Sequence, residues 1–107
     1  MGSPWKAISD DNRREILLLL GKSDMIPTEI AKHFNFTLPA VSTHLRILKD
    51  ANLITEKKLG KNRLYSLNRK RTFELVAFLE EMYDYNLQSL KEYVENKEKR
   101  KRKNNDN

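Results

Sequence analysis

The sequence predicts a mostly α-helical chain with one β-hairpin and a long helix near its end. Three observations carry that expectation. Apolar residues recur at steps of three and four through most of the chain; two helical segments are separated by only three residues, 35–37; and residues 53–67, "LITEKKLGKNRLYSL", read as two strand-like runs about Gly60.

The chain begins with a short apolar segment, residues 5–8, which contains Trp5 and Ile8. Asp10 follows as an N-cap, because its carboxylate can accept the orphan amides of the next turn. The helix it opens has Ile16, Leu17 and Leu20 as its apolar stripe, and Gly21 suits a left-handed stop. After a break at 23–27, "TEIAKHF" makes one short helix from Thr28, with Ile30, Ala31 and Phe34 inward. Asn35, Phe36 and Thr37 form a turn, and Thr37 caps a helix from Leu38 to about Ala51 with Pro39 in its first turn, where a missing amide costs nothing. Two helices joined this tightly make a helix-turn-helix, and the hairpin after them adds a wing with Gly60 in its turn. From about Arg71 to Asn96 one last helix is expected, on the spacing of Leu75, Val76, Leu79, Met82, Tyr83, Leu87, Leu90 and Val94, with Phe73, Phe78, Tyr85 and Tyr93 widening the stripe. The fold class is therefore a winged helix-turn-helix with a long C-terminal dimerisation helix over residues 4–96. Residues 97–107, "KEKRKRK" and four polar residues, lack apolar content and are expected to be a disordered or frayed basic tail.

The formal charge is +6 over 107 residues, and its distribution matters more than its total. Residues 44–71 hold nine Lys/Arg against two Asp/Glu, whereas residues 72–96 hold one against six. A cationic block on the helix-turn-helix and wing points to a polyanion. On the helix at 38–51, Val41, Leu45 and Leu48 share one arc and must face the core. Opposite them lie Pro39, Ser42, Thr43 and Arg46, with Lys49 at the margin. Short hydroxyls and a guanidinium near a helix N-terminus suit entry into a DNA groove; Lys57, Lys58, Lys61 and Arg63 of the hairpin are placed to reach the phosphates beside it. Leu38, Ala40 and Asn62 complete the expected DNA-contacting set, and Tyr65 is expected to pack at the wing root. His44 lies between the inward arc and Ile47, open to either a backbone or phosphate contact or a base contact.

Absent residues exclude other chemistry. Without cysteine there is no disulfide, thiolate metal site or thiol nucleophile. Ser42 and His44, two apart on a helix, diverge by about 200° and lack an orienting acid, so no catalysis is expected. The longest pure apolar run, residues 16–20, is too short to span a bilayer, and the expectation is a soluble cytoplasmic protein without a membrane partner.

Together "WKAISDDNRREILLLL", "TEIAKHFNFTLPAVSTHLRILKDANLI" and "KKLGKNRLYSLN" resemble the ArsR family of winged-helix repressors, in particular small autorepressors without a sensing domain. The resemblance covers about residues 5–95. It implies a homodimer built by the first and last helices, a recognition helix in the major groove, and wings on flanking DNA. Ser42 and His44 match the family's polar recognition positions, and Lys61 and Arg63 its basic wing positions. Leu38 stands where many members have Gln, and Thr43 where many have His, so readout at Leu38 has to be apolar. The cysteine or Asp/His sets by which members sense metals are missing: Glu29 with His33, and Glu80 with Asp84, give only two ligands each, so no metal or cofactor is expected.

The stripe of the last helix, with Trp5 and Ile8, exceeds what so small a domain covers alone, and a two-fold dimer would bury it through Leu75, Leu79, Met82, Tyr83, Leu87 and Leu90. The expectation is a homodimeric repressor on double-stranded DNA with a pseudopalindromic operator. Alternatives are a winged-helix interaction or dimerisation module, which usually lacks such a cationic block, and an inducer-responsive repressor.

Overall fold

The computed structural model describes residues 2–83 and 87–105. Residues up to Thr72 form one compact unit and those from Phe73 onward a second.

In the first unit, helix α1 (Pro4–Ala7) is capped by Ser3 and pinned at its start by a bond from the Gly2 amide to the Asp50 carbonyl, 3.1 Å. Helix α2 (Asp11–Lys22) opens on Asp10, whose carboxylate accepts the Asn12 and Arg13 amides at 2.8 and 3.1 Å. Arg13 then folds back, its Nε donating to the Ala7 carbonyl at 2.7 Å, and so locks α1 to α2. The expected stop at Gly21 is corrected: Gly21 is helical, and the chain leaves α2 at Ser23 in an extended conformation. A polar residue that turns extended ends the helix without any left-handed residue.

Helix α3 (Pro27–Phe34) starts one residue earlier than the sequence suggests, with Pro27 in its first turn and the Ile26 amide donating to the Glu29 carboxylate at 3.1 Å. Only Ile30 of its inward face is fully buried. Asn35 takes the left-handed conformation (φ 55°), which asparagine tolerates better than most residues. Thr37 then caps helix α4 (Leu38–Asp50) by accepting the Ala40 amide at 3.3 Å. Left-handed Asn52 (φ 62°) ends α4, with the Leu53 amide bonded to the Leu48 carbonyl at 3.0 Å.

Strands β1 (Ile54–Leu59) and β2 (Asn62–Leu67) pair antiparallel from Ile54 opposite Leu67 to Leu59 opposite Asn62. Gly60 has φ +60° at the first central position of the two-residue turn, as a II′ hairpin requires. Met25 adds a bridge to Tyr65 through two backbone bonds of 3.1 and 2.8 Å, which fastens the segment before α3 to the wing. Asn68 closes the unit. Its amide bonds to the Leu53 carbonyl, its side chain donates to the Asn52 carbonyl at 2.8 Å, and its Oδ1 accepts the Arg71 amide in the first turn of helix α5 (Arg69–Tyr83).

The buried apolar side chains run from Ala7 to Ile54, with Ile16, Leu20, Ile30, Val41, Leu45, Leu48 and Leu53 at their centre. They fix the helix-turn-helix against the root of the hairpin.

The second unit contains the rest of α5 and helix α6 (Leu87–Asn105). The last helix expected over 71–96 is helical wherever it is described, in α5 to Tyr83 and in α6 from Leu87, and Asp84, Tyr85 and Asn86 lie outside the described residues. One expectation is corrected. The basic run at 97–103 is helical: Lys, Arg and Glu are good helix formers, and no Gly or Pro follows Gly60. Phe73, Val76, Phe78, Leu79, Met82, Tyr93 and Val94 are all exposed. Among the described residues no helix is long and apolar enough to cross a membrane.

Candidate nucleic-acid interface

Helix α4 is held from behind by Val41, Leu45 and Leu48, whose side chains are buried, so its other face has to point outward. Leu38, Pro39, Ser42, Thr43, Arg46 and Lys49 are exposed there, while Ala40 is half-buried. The Thr43 hydroxyl donates to the Pro39 carbonyl at 3.0 Å. Thr43 therefore presents its methyl group and a lone pair to the outside, not a proton. Ser42 and Arg46 have no such tie among the described residues.

His44 is half-buried beside Phe36, ring centres 6.0 Å apart, and its Nδ1 is enclosed without a hydrogen-bond partner. Phe36 in turn stacks on Phe34 at 5.3 Å, so the turn between α3 and α4 is a small aromatic cluster. The histidine also lies close enough to Asp10 to favour that residue's carboxylate.

The hairpin displays Lys57, Lys58 and Lys61, all exposed, with Asn62 at the turn. Lys58 stands directly opposite Arg63, a like-charged pair that calls for a nearby anion. Glu56 supplies one. Its carboxylate receives Lys49 Nζ from α4 and Arg63 Nη1 at 2.8 Å on Oε1, and the Tyr65 hydroxyl at 2.9 Å on Oε2. The hydrogen bond from Lys49, then that from Tyr65, hold the Glu56 carboxyl below its ordinary pKa. Burial, and then the bond to Glu56, raise the Tyr65 phenol, so it stays a donor.

Lys49, at the margin of the outward face, and Arg63, an expected phosphate contact, are thus ion-paired within the protein, and Tyr65 is tied to the wing root as expected. Glu56 and the Tyr65 hydroxyl escaped the sequence reading because the signal, an acid opposite a tyrosine, exists only once the strand register is known.

The residues expected at a dimer contact divide between the units. Trp5 is 41% exposed and Ile8 half-buried in the first; in the second Leu75 is half-buried, and Leu79 and Met82 are 40% and 54% exposed. The side chains of Tyr83, Leu87 and Leu90 lie outside those described, as do residues Asp84 and Tyr85. Of the two candidate metal pairs, Glu29 and His33 are exposed on α3, and the other includes Asp84.

A family model described as bacterial regulatory protein, arsR family, matches residues 10–56, from the cap of α2 into β1. The transcriptional repressor SdpR of Bacillus subtilis (strain 168) is 48% identical over 68 residues, 64% of this chain and 76% of that protein. The chain belongs to the ArsR family. Another relative in sequence, the arsenical resistance operon repressor of Staphylococcus xylosus, is 37% identical and is matched over 62% of its length, 61% of this chain. The ArsR-like transcriptional regulator from Rhodococcus sp. RHA1 superposes with a TM-score of 0.67 at 26% identity, over 83% of this chain and 87% of that one. As an ArsR-family member the chain is a DNA-binding transcriptional regulator with a winged helix-turn-helix.

Proposed function

We propose that the chain is a homodimeric repressor that occupies a pseudopalindromic operator, reading bases with α4 and gripping flanking phosphates with the hairpin. The observation that carries this reading is the outward face of α4. Ser42, Thr43 and Arg46 stand exposed over a fully buried Val41–Leu45–Leu48 stripe, beside three exposed wing lysines. Such a helix presents hydrogen-bonding groups to base edges, while lysines add sequence-independent attraction. Ser42 and Arg46 are assigned to base edges, with Thr43 and Leu38 offering methyl groups to thymine. Lys57, Lys58, Lys61 and Asn62 are assigned to the backbone. His44 stays at the helix–turn junction with at most a phosphate contact.

Dimerisation is supported by the apolar side chains that one copy leaves exposed on α5 and α6. A two-fold axis would present two α4 helices about one DNA turn apart, which makes the operator's half-sites a geometric consequence. Repression follows by occupancy, as the name of the Bacillus relative suggests. The reading assigns the chain a cytoplasmic place, and neither a catalytic step nor a resident metal. Selection of bound duplexes from a random pool, with sedimentation of the free protein, tests it: a two-fold-related motif and a dimer are expected. Recovery of no sequence preference, or a monomer at micromolar concentration, would overturn it.

A further inference from the structure

The Glu56 cluster does something that neither base reading nor phosphate attraction requires. A regulator that only had to attract a duplex would leave Lys49 and Arg63 free; here one carboxylate holds both, from two different elements. Lys49 belongs to the last turn of α4 and Arg63 to β2, and Glu56 reaches them from β1. The carboxylate is itself held in place. Its side chain is only 18% exposed, and the Tyr65 hydroxyl bonds its second oxygen while the Tyr65 backbone is fixed to Met25. Strand alternation puts Glu56, Lys58, Tyr65 and Arg63 on one face of the hairpin. Two cations and a phenol therefore share one anion at the junction of recognition helix and wing.

We propose that Glu56 is a specificity-setting residue: an internal counter-anion that withholds Lys49 and Arg63 from phosphates until α4 is seated in its cognate groove. The inference rests on the operator-binding reading above. Phosphate oxygens compete with the carboxylate for the same donors, because both accept charge-assisted hydrogen bonds from guanidinium and ammonium groups. On a non-cognate duplex, α4 makes few base contacts and the exchange is not driven. On the operator those contacts hold the backbone against the cluster and the cations transfer. Glu56 then lowers non-specific affinity more than specific affinity, which is the quantity that matters against a genome of competing sites.

Binding of the full-length protein to an operator duplex selected from random sequence, and to a random duplex of equal length, tests this across a salt series. Glu56→Gln keeps the shape and an acceptor for Tyr65 but removes the charge. Random-duplex affinity should rise several-fold, its log–log salt slope should steepen by about one to two, near 0.9 for each released cation, and the operator-to-random ratio should fall. A purely structural Glu56 would instead lower the melting temperature and weaken both duplexes alike, which overturns the proposal, as does an unchanged slope. Lys49→Gln gives a second reading that does not depend on the first variant folding. Because Lys49 is engaged by Glu56, its loss should flatten the random-duplex slope clearly less than Lys57→Gln does, and equal effects overturn the proposal. A parent protein that binds neither duplex overturns both this inference and the operator reading; a parent that binds, with Glu56→Gln unaltered, overturns this inference alone.

Discussion

Leu48 of α4 and Leu79 of α5 each sit in the apolar stripe of a helix, yet the first is fully buried and the second is 40% exposed. The contrast extends to the regions around them. Residues 2–72 bury their stripes against one another and tie their ends with side-chain caps at Ser3, Asp10, Thr37 and Asn68. From Phe73 on, apolar residues just as large are exposed, and none of the described ones is buried. A helix gains most of its stability from covering its apolar face. The first region thus contains its own reasons to fold, whereas the second has a surface that a partner copy would complete.

The largest effect should come from breaking the first region. Leu48→Ala is expected to cost about 2–5 kcal/mol, from lost transfer energy and the cavity left behind, and should lower the urea midpoint at every protein concentration. Leu79→Glu probes the other side of the comparison. It should leave the dilute monomer about as stable as the parent but weaken the dimer at least about tenfold in sedimentation equilibrium, or roughly 1.4 kcal/mol. The parent's melting temperature should rise with protein concentration, and that of Leu79→Glu should not. A concentration-independent loss in Leu79→Glu equal to that of Leu48→Ala would erase the distinction.

Within the first region, α4 and the hairpin should separate in the same way. Arg46→Ala is expected to cost about 1–3 kcal/mol on the preferred duplex and to relax the preference at one base position, since a bidentate guanidinium reads one base. Lys61→Ala should weaken all duplexes alike and reduce the salt slope by about 0.9, with no change in the selected motif. A shifted motif in Lys61→Ala would place sequence readout in the wing as well.

What was legible in the sequence is what neighbours in sequence decide. Asp10 and Thr37 cap the helices expected of them, Gly60 takes its positive φ, and Val41, Leu45 and Leu48 turn inward together. Each is set within four residues, by a cap, a turn or a helix period. What was not legible depends on residues far apart. The Met25–Tyr65 bridge and the Lys49–Glu56–Arg63 cluster exist only after the hairpin has packed on the helices. Charge counting placed Lys49 and Arg63 correctly on the cationic side, but a count cannot tell a paired cation from an unpaired one. Gly21 misled for the opposite reason: it permits a left-handed stop, and the packed α2 continues through it.

The smallest expected effect is also the most local, and it concerns a carboxylate that serves folding and not DNA. The Asp10 carboxyl is held below its ordinary value first by the Arg13 amide; burial opposes the shift, and the Asn12 amide, the Arg13 guanidinium and His44 add to it. A group whose pKa is depressed by folding stabilises the folded state above its unfolded value and loses that contribution as pH falls through the folded value. The unfolded value is near 3.8, so the contribution should be constant from neutral pH down to about 5, begin to fall as pH nears 3.8, and vanish only below the folded value, which lies lower still. Asp10→Asn retains a good cap without the charge and isolates this part from the cap itself, which Asp10→Ala would remove at about 1 kcal/mol. Thermal melts of the parent and of Asp10→Asn across this range should differ slightly at pH 7 and converge in acid. If the gap is the same at pH 3 as at pH 7, the charge on Asp10 is irrelevant and only the geometry of the cap matters. In that case α2 begins where it does for the same reason α4 does, since Thr37 caps its helix without any charge at all.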